Sequence, residues 1–269
     1  MSRGSNRPVA ANMQQASHRH RFFLFAALVM VAVVAVGSGP TLYLRSLLGT
    51  PDRLTGSTSL PTHLLIHGLV LTAWFSLFAV QALLVTTGRS SVHRRLGWLA
   101  AVLVPAVVAT SVVTMQRVVP RILEARGAVD PRARAAIFER MTEVIVHDSF
   151  TLVVFVAFVG CALYFRARSA THKRLMFLAS AKLISPALST GRPIGVLIVP
   201  HLPQWLMLST VFVCLCVAAL VWHDLATRRR LESATIWGSA AIIAVIAASV
   251  AMTNSELGLQ FTRWFAGVQ

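Results

Sequence analysis

The stretch HRRLGWLA at residues 93–100 recurs almost unchanged as HKRLMFLA at residues 172–179. In each copy a histidine and two cations lead into an apolar run that contains an aromatic residue. A second histidine precedes each copy, His67 by 26 residues and His147 by 25. This spacing predicts a duplicated helix pair, in which each unit enters the membrane at the upstream histidine and returns after the basic turn.

The composition indicates that the solvent of these helices is lipid. The chain has 269 residues, 56% hydrophobic and 13% charged, which is more apolar surface than one globular core buries. Seven stretches have the roughly 17 to 25 apolar residues that a helix needs to cross a bilayer core about 30 Å thick. They lie at residues 22–39, 64–87, 96–115, 144–165, 175–199, 202–223 and 234–253.

We therefore predict an all-α integral membrane protein with seven transmembrane helices, in which helices two to five form a four-helix bundle from two repeats. The repeats span about 62–118 and 142–200. The arginine-rich segment 118–143 is expected to form an amphipathic helix over the outer mouth. The predicted parts are a basic N-terminal tail, the membrane domain and an outer interfacial tail, at residues 1–21, 22–253 and 254–269.

The charge pattern predicts topology. The net charge of +16 comes from clusters between the apolar stretches rather than from one soluble basic face, so no nucleic-acid partner is expected. The arginine-rich clusters of the N-terminal tail and of three turns fall on one side of a seven-span chain. This pattern predicts a bacterial inner-membrane protein with its N-terminus in the cytoplasm, its C-terminus outside and its basic turns in contact with membrane lipids.

Polar side chains within the spans indicate which faces point into the bundle, because lipid-facing polar groups are costly. His67, Trp74 and Gln81 recur every seven residues and therefore share one helix stripe. The repeat predicts that His147 faces His67 at a similar depth. This stripe is the predicted interior of the bundle.

Two neutral imidazoles from two helices are the ligands of a transmembrane b-type haem. His67 and His147 form the predicted outer pair of such ligands. His93 and His172 form a predicted inner pair for a second haem. Haem b at both sites would carry electrons across the membrane.

The fifth apolar stretch contains two deep cations, Lys182 and Arg192, and a proline, Pro186, that is expected to kink it. A cation at that depth needs a carboxylate, a carbonyl, water or an anionic ligand, unless it snorkels to the inner surface. The cations could contact haem propionates or a quinone. The predicted partners are therefore a quinone or another redox protein, and the sequence does not indicate an oligomeric state.

The tandem pattern resembles a bacterial family of multi-pass membrane proteins. The resemblance covers spans two to five and depends on HGLVLTAWFSLFAVQALL at 67–84, HRRLG at 93–97, HKRLM at 172–176 and a later Arg192. More distantly, the pattern is similar to ascorbate-dependent transmembrane b cytochromes, whose bundle pairs histidines from two repeated hairpins. In those cytochromes the inner ligands lie within the helices rather than at the turns, so the resemblance favours the outer pair.

Two other hypotheses stay open. His63 and His67 lie one helical turn apart, and Glu143 and His147 repeat that spacing beside Asp148, a pattern that suits zinc or copper at the outer face. Such a site would serve a metal-binding protein or a metallohydrolase. Alternatively, the chain is a non-catalytic membrane subunit or assembly factor, whose histidines bond loop carbonyls or lipid phosphates. Whether it is an enzyme is not decided by the sequence.

Overall fold

The computed structural model describes residues 7–49, 59–127, 130–188 and 208–267, which are helical apart from short turns and contain no strand. Six of their helices are long and apolar enough to cross a membrane. The chain is therefore a multi-pass integral membrane protein of the all-α class, as the sequence predicts.

The described residues form eleven α-helices and one π-helix. In chain order they are α1 Arg7–Ser38, the π-helix Gly39–Tyr43, α2 Arg45–Leu48, α3 Thr62–Thr86, α4 Ser90–Leu96, α5 Leu99–Arg126, α6 Pro131–Tyr164, α7 Ser169–Lys182, α8 Ser185–Leu188, α9 Leu208–Arg228, α10 Ser233–Thr253 and α11 Glu256–Ala266. The six candidate spans are α1 from Arg21 onward, α3, α5, α6, α9 and α10.

These six spans overlap six of the seven predicted apolar stretches, and the fifth stretch differs. Helix α7 ends at Lys182, and α8 begins at Ser185 after two intervening residues, with Pro186 in its first turn. A break there agrees with proline, which is tolerated in the first turn of a helix but not in its interior. Residues 189–207, which include Arg192, lie outside the described part of the chain. The count of seven spans is therefore not confirmed.

The prediction of a separate amphipathic helix over the outer mouth is wrong. Helix α5 continues to Arg126 and α6 begins at Pro131, so the arginine-rich segment forms the ends of two long helices. The Asp130 carboxylate caps α6 by accepting hydrogen bonds from the backbone N–H groups of Arg132 and Ala133, at 2.8 and 3.0 Å. Apolar residues of both helix ends pack together with α11, because their helical periodicity continues that of the spans.

Helices α3, α6 and α7 meet at Trp74. The Trp74 side chain is 2% exposed, its indole N–H donates to the Ser180 hydroxyl at 3.3 Å, and its ring meets the edge of Phe155 at a centroid distance of 4.9 Å. Helix α3 also contacts α5, α5 contacts α6, and α6 contacts α7. Helices α1, α9 and α10 surround this group, with α1 on α3, α9 on α7 and α10 on both α6 and α7.

The two basic turns have the same local form. Helix α4 begins at Ser90 and α7 at Ser169, in each case after an arginine cap and three residues ahead of the turn histidine. Each histidine therefore lies in the first two turns of a helix that follows a transmembrane segment. The duplication of the whole hairpin stays a prediction.

Candidate functional site

The two basic turns bring the inner histidines together. His93 on α4 and His172 on α7 have ring centroids 6.3 Å apart, and their ring planes are nearly perpendicular, at 89°. Both side chains are partly buried. The sequence predicted this pairing from the repeat.

The hydrogen bond of His172 determines which ring nitrogen carries its proton. Its Nδ1 lies 2.9 Å from the backbone carbonyl oxygen of Ala162. A carbonyl oxygen only accepts, so Nδ1 must donate, and Nε2 keeps its lone pair. A backbone carbonyl bonded to one ring nitrogen is the usual support of a metal-binding histidine. The same bond also satisfies a carbonyl in the last turn of α6, which is a purely structural use.

His93 keeps an unused nitrogen in a buried position. Its Nδ1 is buried and has no hydrogen-bond partner within the described ranges, and the same is true of the Gln81 side-chain oxygen. The His93 ring also bonds the backbone of Gln81. A buried polar atom without a partner is costly unless something binds it.

The pKa of His93 favours the neutral imidazole that ligation requires. Burial is the largest cause and lowers this pKa below its ordinary value of 6.5. The bond to the Gln81 backbone opposes that shift, whereas electrostatic interactions with His172 and Arg94 add to it. The lowered pKa favours the neutral imidazole, which is the form that binds a metal ion.

The two rings are close enough to hold one group between them. Their centroids are 6.3 Å apart and their planes are nearly perpendicular. The same separation is ordinary for edge-to-face packing of two rings. The geometry therefore makes the two turn histidines the candidate ligands of one shared group.

The outer histidines have different neighbours. His67 Nδ1 lies 3.2 Å from the Thr110 hydroxyl on α5. His147 is 6% exposed and lies within the electrostatic influence of Lys182. Helices α3 and α6 run in the same direction, because both end at the turns that carry the touching histidines.

The depths of His67 and His147 in the bundle can be compared through the contact of Trp74 with Phe155. His67 precedes Trp74 by seven residues and His147 precedes Phe155 by eight. At 1.5 Å per residue the two histidines are thus within about 2 Å of one level along parallel helices. The equal depth agrees with the prediction that His67 and His147 lie at a similar level of the bundle.

Lys182 lies in a buried polar cluster at the junction of α6, α7 and α8. Its side chain is 3% exposed and interacts electrostatically with the carboxylate of Asp148. The Ser185 hydroxyl donates a hydrogen bond to that carboxylate. The sequence predicted that Lys182 needs a partner. Asp148, which the sequence pattern had assigned to a metal site, is the carboxylate that acts on it electrostatically.

The predicted outer metal site gains no support from the arrangement. In the part of the chain that the structure describes, no group of three or more His, Cys, Asp or Glu side chains lies close enough to hold a metal ion. His63 lines a cleft with arginines, Glu143 is half-buried on α6, and Asp148 faces Lys182. The zinc or copper hypothesis stays a prediction.

Sequence reasoning missed a buried ion pair beside His172. Arg174 and Asp224 are both fully buried and joined by two hydrogen bonds. The Asp224 carboxylate also accepts from the Thr235 hydroxyl at 2.5 Å and from the backbone N–H of Glu232 at 3.1 Å. The signal in the sequence was Asp224 itself, an acid at the end of an apolar helix that needs a cation.

Comparison with known proteins gives no relative for this chain. No protein family, curated protein or solved structure matches it.

Proposed function

We propose that this chain is a membrane b-type haem protein that transfers electrons, in which His93 and His172 would hold the haem iron. The observation that carries the proposal is the 6.3 Å between their ring centroids. A haem iron needs only two protein ligands, since the porphyrin supplies the other four nitrogens. When bound, the haem would supply one-electron redox chemistry.

The residues around the pair meet two further conditions of ligation. The carbonyl of Ala162 accepts from Nδ1 of His172 and leaves Nε2 as its ligand atom, and burial favours the neutral form of the His93 imidazole. The orphaned Nδ1 of His93 is the corresponding ligand atom on the other ring. Ligation would thus use Nε2 of His172 and Nδ1 of His93.

An alternative assignment keeps the same function but makes the outer pair, His67 and His147, the haem ligands. Its support is the equal depth of the two residues on parallel helices that touch at Trp74 and Phe155. The deep cation Lys182 acts electrostatically on His147 and would suit an anionic group such as a propionate or a quinone oxygen. In either assignment a quinone or a second redox protein would exchange the electron.

The test is a reduced-minus-oxidised visible spectrum of the full chain, purified in detergent from haem-replete cells. We expect a b-type band in the native protein and its loss in His93→Ala and His172→Ala. His63→Ala removes a histidine at the opposite end of α3 and should keep the band. A folded native protein without the band, or a band that persists in both turn variants, would overturn the assignment.

A further inference from the structure

A cleft lies between the start of α3 and the end of α5, at the opposite end of the bundle from the turn histidines. Its volume is about 950 Å³. Its polar lining includes a histidine, two arginines and one glutamate, and its apolar lining includes two aliphatic side chains: His63, Arg117, Arg121, Glu124, Ile66 and Val113. The cleft is thus charged on one part of its wall and apolar on another.

The depth of the charged part matches the surface of a bilayer. Arg117 follows Leu99, the first residue of α5, by 18 residues, so it lies about 27 Å along the helix axis. A bilayer core is about 30 Å thick, so the Arg117 guanidinium reaches the level of the lipid head groups. Val113 lies one turn deeper, at the level of the acyl chains.

The field in the cleft is positive. Arg117 and Arg121 both act electrostatically on His63, and Glu124 is the single acid in the lining. Arg117 is exposed and forms no ion pair with any of the described carboxylates. Helix α3 begins at Thr62 without a side-chain cap, so the positive end of its dipole adds to this field.

The histidine of the cleft has an unsatisfied atom. His63 Nε2 is buried and has no hydrogen-bond partner among the described residues. A donor or acceptor left in that state is costly, and a bound ligand would remove the cost. Arg117 and His63 both line the cleft, so a phosphate bound there would lie within reach of both side chains.

We propose that this cleft binds an anionic lipid, with its phosphate on Arg117 and His63 and an acyl chain along Ile66 and Val113. Arginine binds phosphate through two parallel charge-assisted hydrogen bonds. The apolar wall below the guanidinium fits an acyl chain. A lipid has such a chain, and inorganic phosphate does not. The site lies at the other end of the molecule from the proposed haem and does not depend on it.

The experiment measures lipid binding to the delipidated full chain in a non-ionic detergent by native mass spectrometry. The probes are phosphatidylglycerol, which is anionic, phosphatidylcholine, which has the same phosphate but no net charge, and inorganic phosphate. We expect phosphatidylglycerol to bind best, and Arg117→Gln to weaken its binding about tenfold. Arg132→Gln, which removes an exposed arginine from the start of α6, should leave binding unchanged.

Two further variants keep the test decisive if Arg117→Gln does not fold. Arg117→Lys keeps the charge and should retain most of the binding, and Ile66→Ala should weaken the binding of phosphatidylglycerol but not of inorganic phosphate. Equal affinities of Arg117→Gln and Arg132→Gln for phosphatidylglycerol would overturn the proposal. Equal binding of the two lipids, or phosphate binding that depends on Arg117 while the lipid does not bind, would overturn it as well.

Discussion

The two basic turns have nearly the same sequence and very different environments. Arg174 of the second turn is fully buried against Asp224, whereas Arg95 at the corresponding position of the first turn is exposed. Phe177 is 1% exposed and its counterpart Trp98 is 76% exposed. Helices α9 and α10 follow the second hairpin in the chain and pack on α7. The motif thus sets the form of the turn, and the neighbouring helices decide what is buried.

The largest effect on folding stability is expected from breaking the ion pair between Arg174 and Asp224 at the second turn. Arg174→Gln leaves the Asp224 carboxylate buried without its cation, which costs about 3–5 kcal/mol of folding free energy. Arg95→Gln changes an exposed side chain and should stay within about 0.5 kcal/mol of the native protein. Size-exclusion chromatography after heating in detergent measures both melting temperatures. Equal melting temperatures would show that the burial of Arg174 does not distinguish the turns.

A second comparison uses the aromatic residues that follow the two turns. Phe177→Ala removes a buried ring and should cost about 3–4 kcal/mol through lost packing and a cavity. Trp98→Ala removes a ring that touches little protein and should cost less than about 1 kcal/mol. Thermal unfolding in the same detergent measures the difference. A Trp98 variant as unstable as the Phe177 variant would contradict the difference in exposure between the two rings.

The smallest effect concerns pH and the histidine of the first turn. Burial lowers the pKa of His93 below 6.5, so between the two pKa values the unfolded chain binds more protons than the folded chain. Stability therefore rises with pH through this window and is lost as the pH falls below about 6.5. His93→Gln should reduce the fall in melting temperature between pH 7 and pH 5. An unchanged fall would assign the acid sensitivity to other groups.

Much of the fold could be predicted because lipid imposes a simple rule on the sequence. An apolar run of sufficient length must form a helix whose backbone groups are satisfied internally, and six predicted spans follow from this rule. The rule fails for the segment 118–143, where polar residues mark the ends of two long helices rather than a third element. The rule also does not decide whether Pro186 kinks or breaks the fifth apolar stretch, and the structure shows a break near this residue.

The candidate site could be predicted only in part, because sequence spacing gives position along a helix and not the neighbour. The repeat predicted that His93 and His172 correspond, and the structure adds that they touch. Lys182 required a partner, but only packing identifies Asp148. The partner of Arg174 lies 50 residues away on α9, and no local pattern links the two.

The central claim is that the turn histidines, rather than the outer pair, are the ligands of the proposed haem. The most direct measurement is the haem content per folded chain in four variants: His93→Ala, His172→Ala, His67→Ala and His147→Ala. We expect a loss of at least about tenfold in the two turn variants, since each removes an axial ligand, and native content in the two outer variants. Native haem content in the turn variants, together with loss in the outer variants, would contradict the claim.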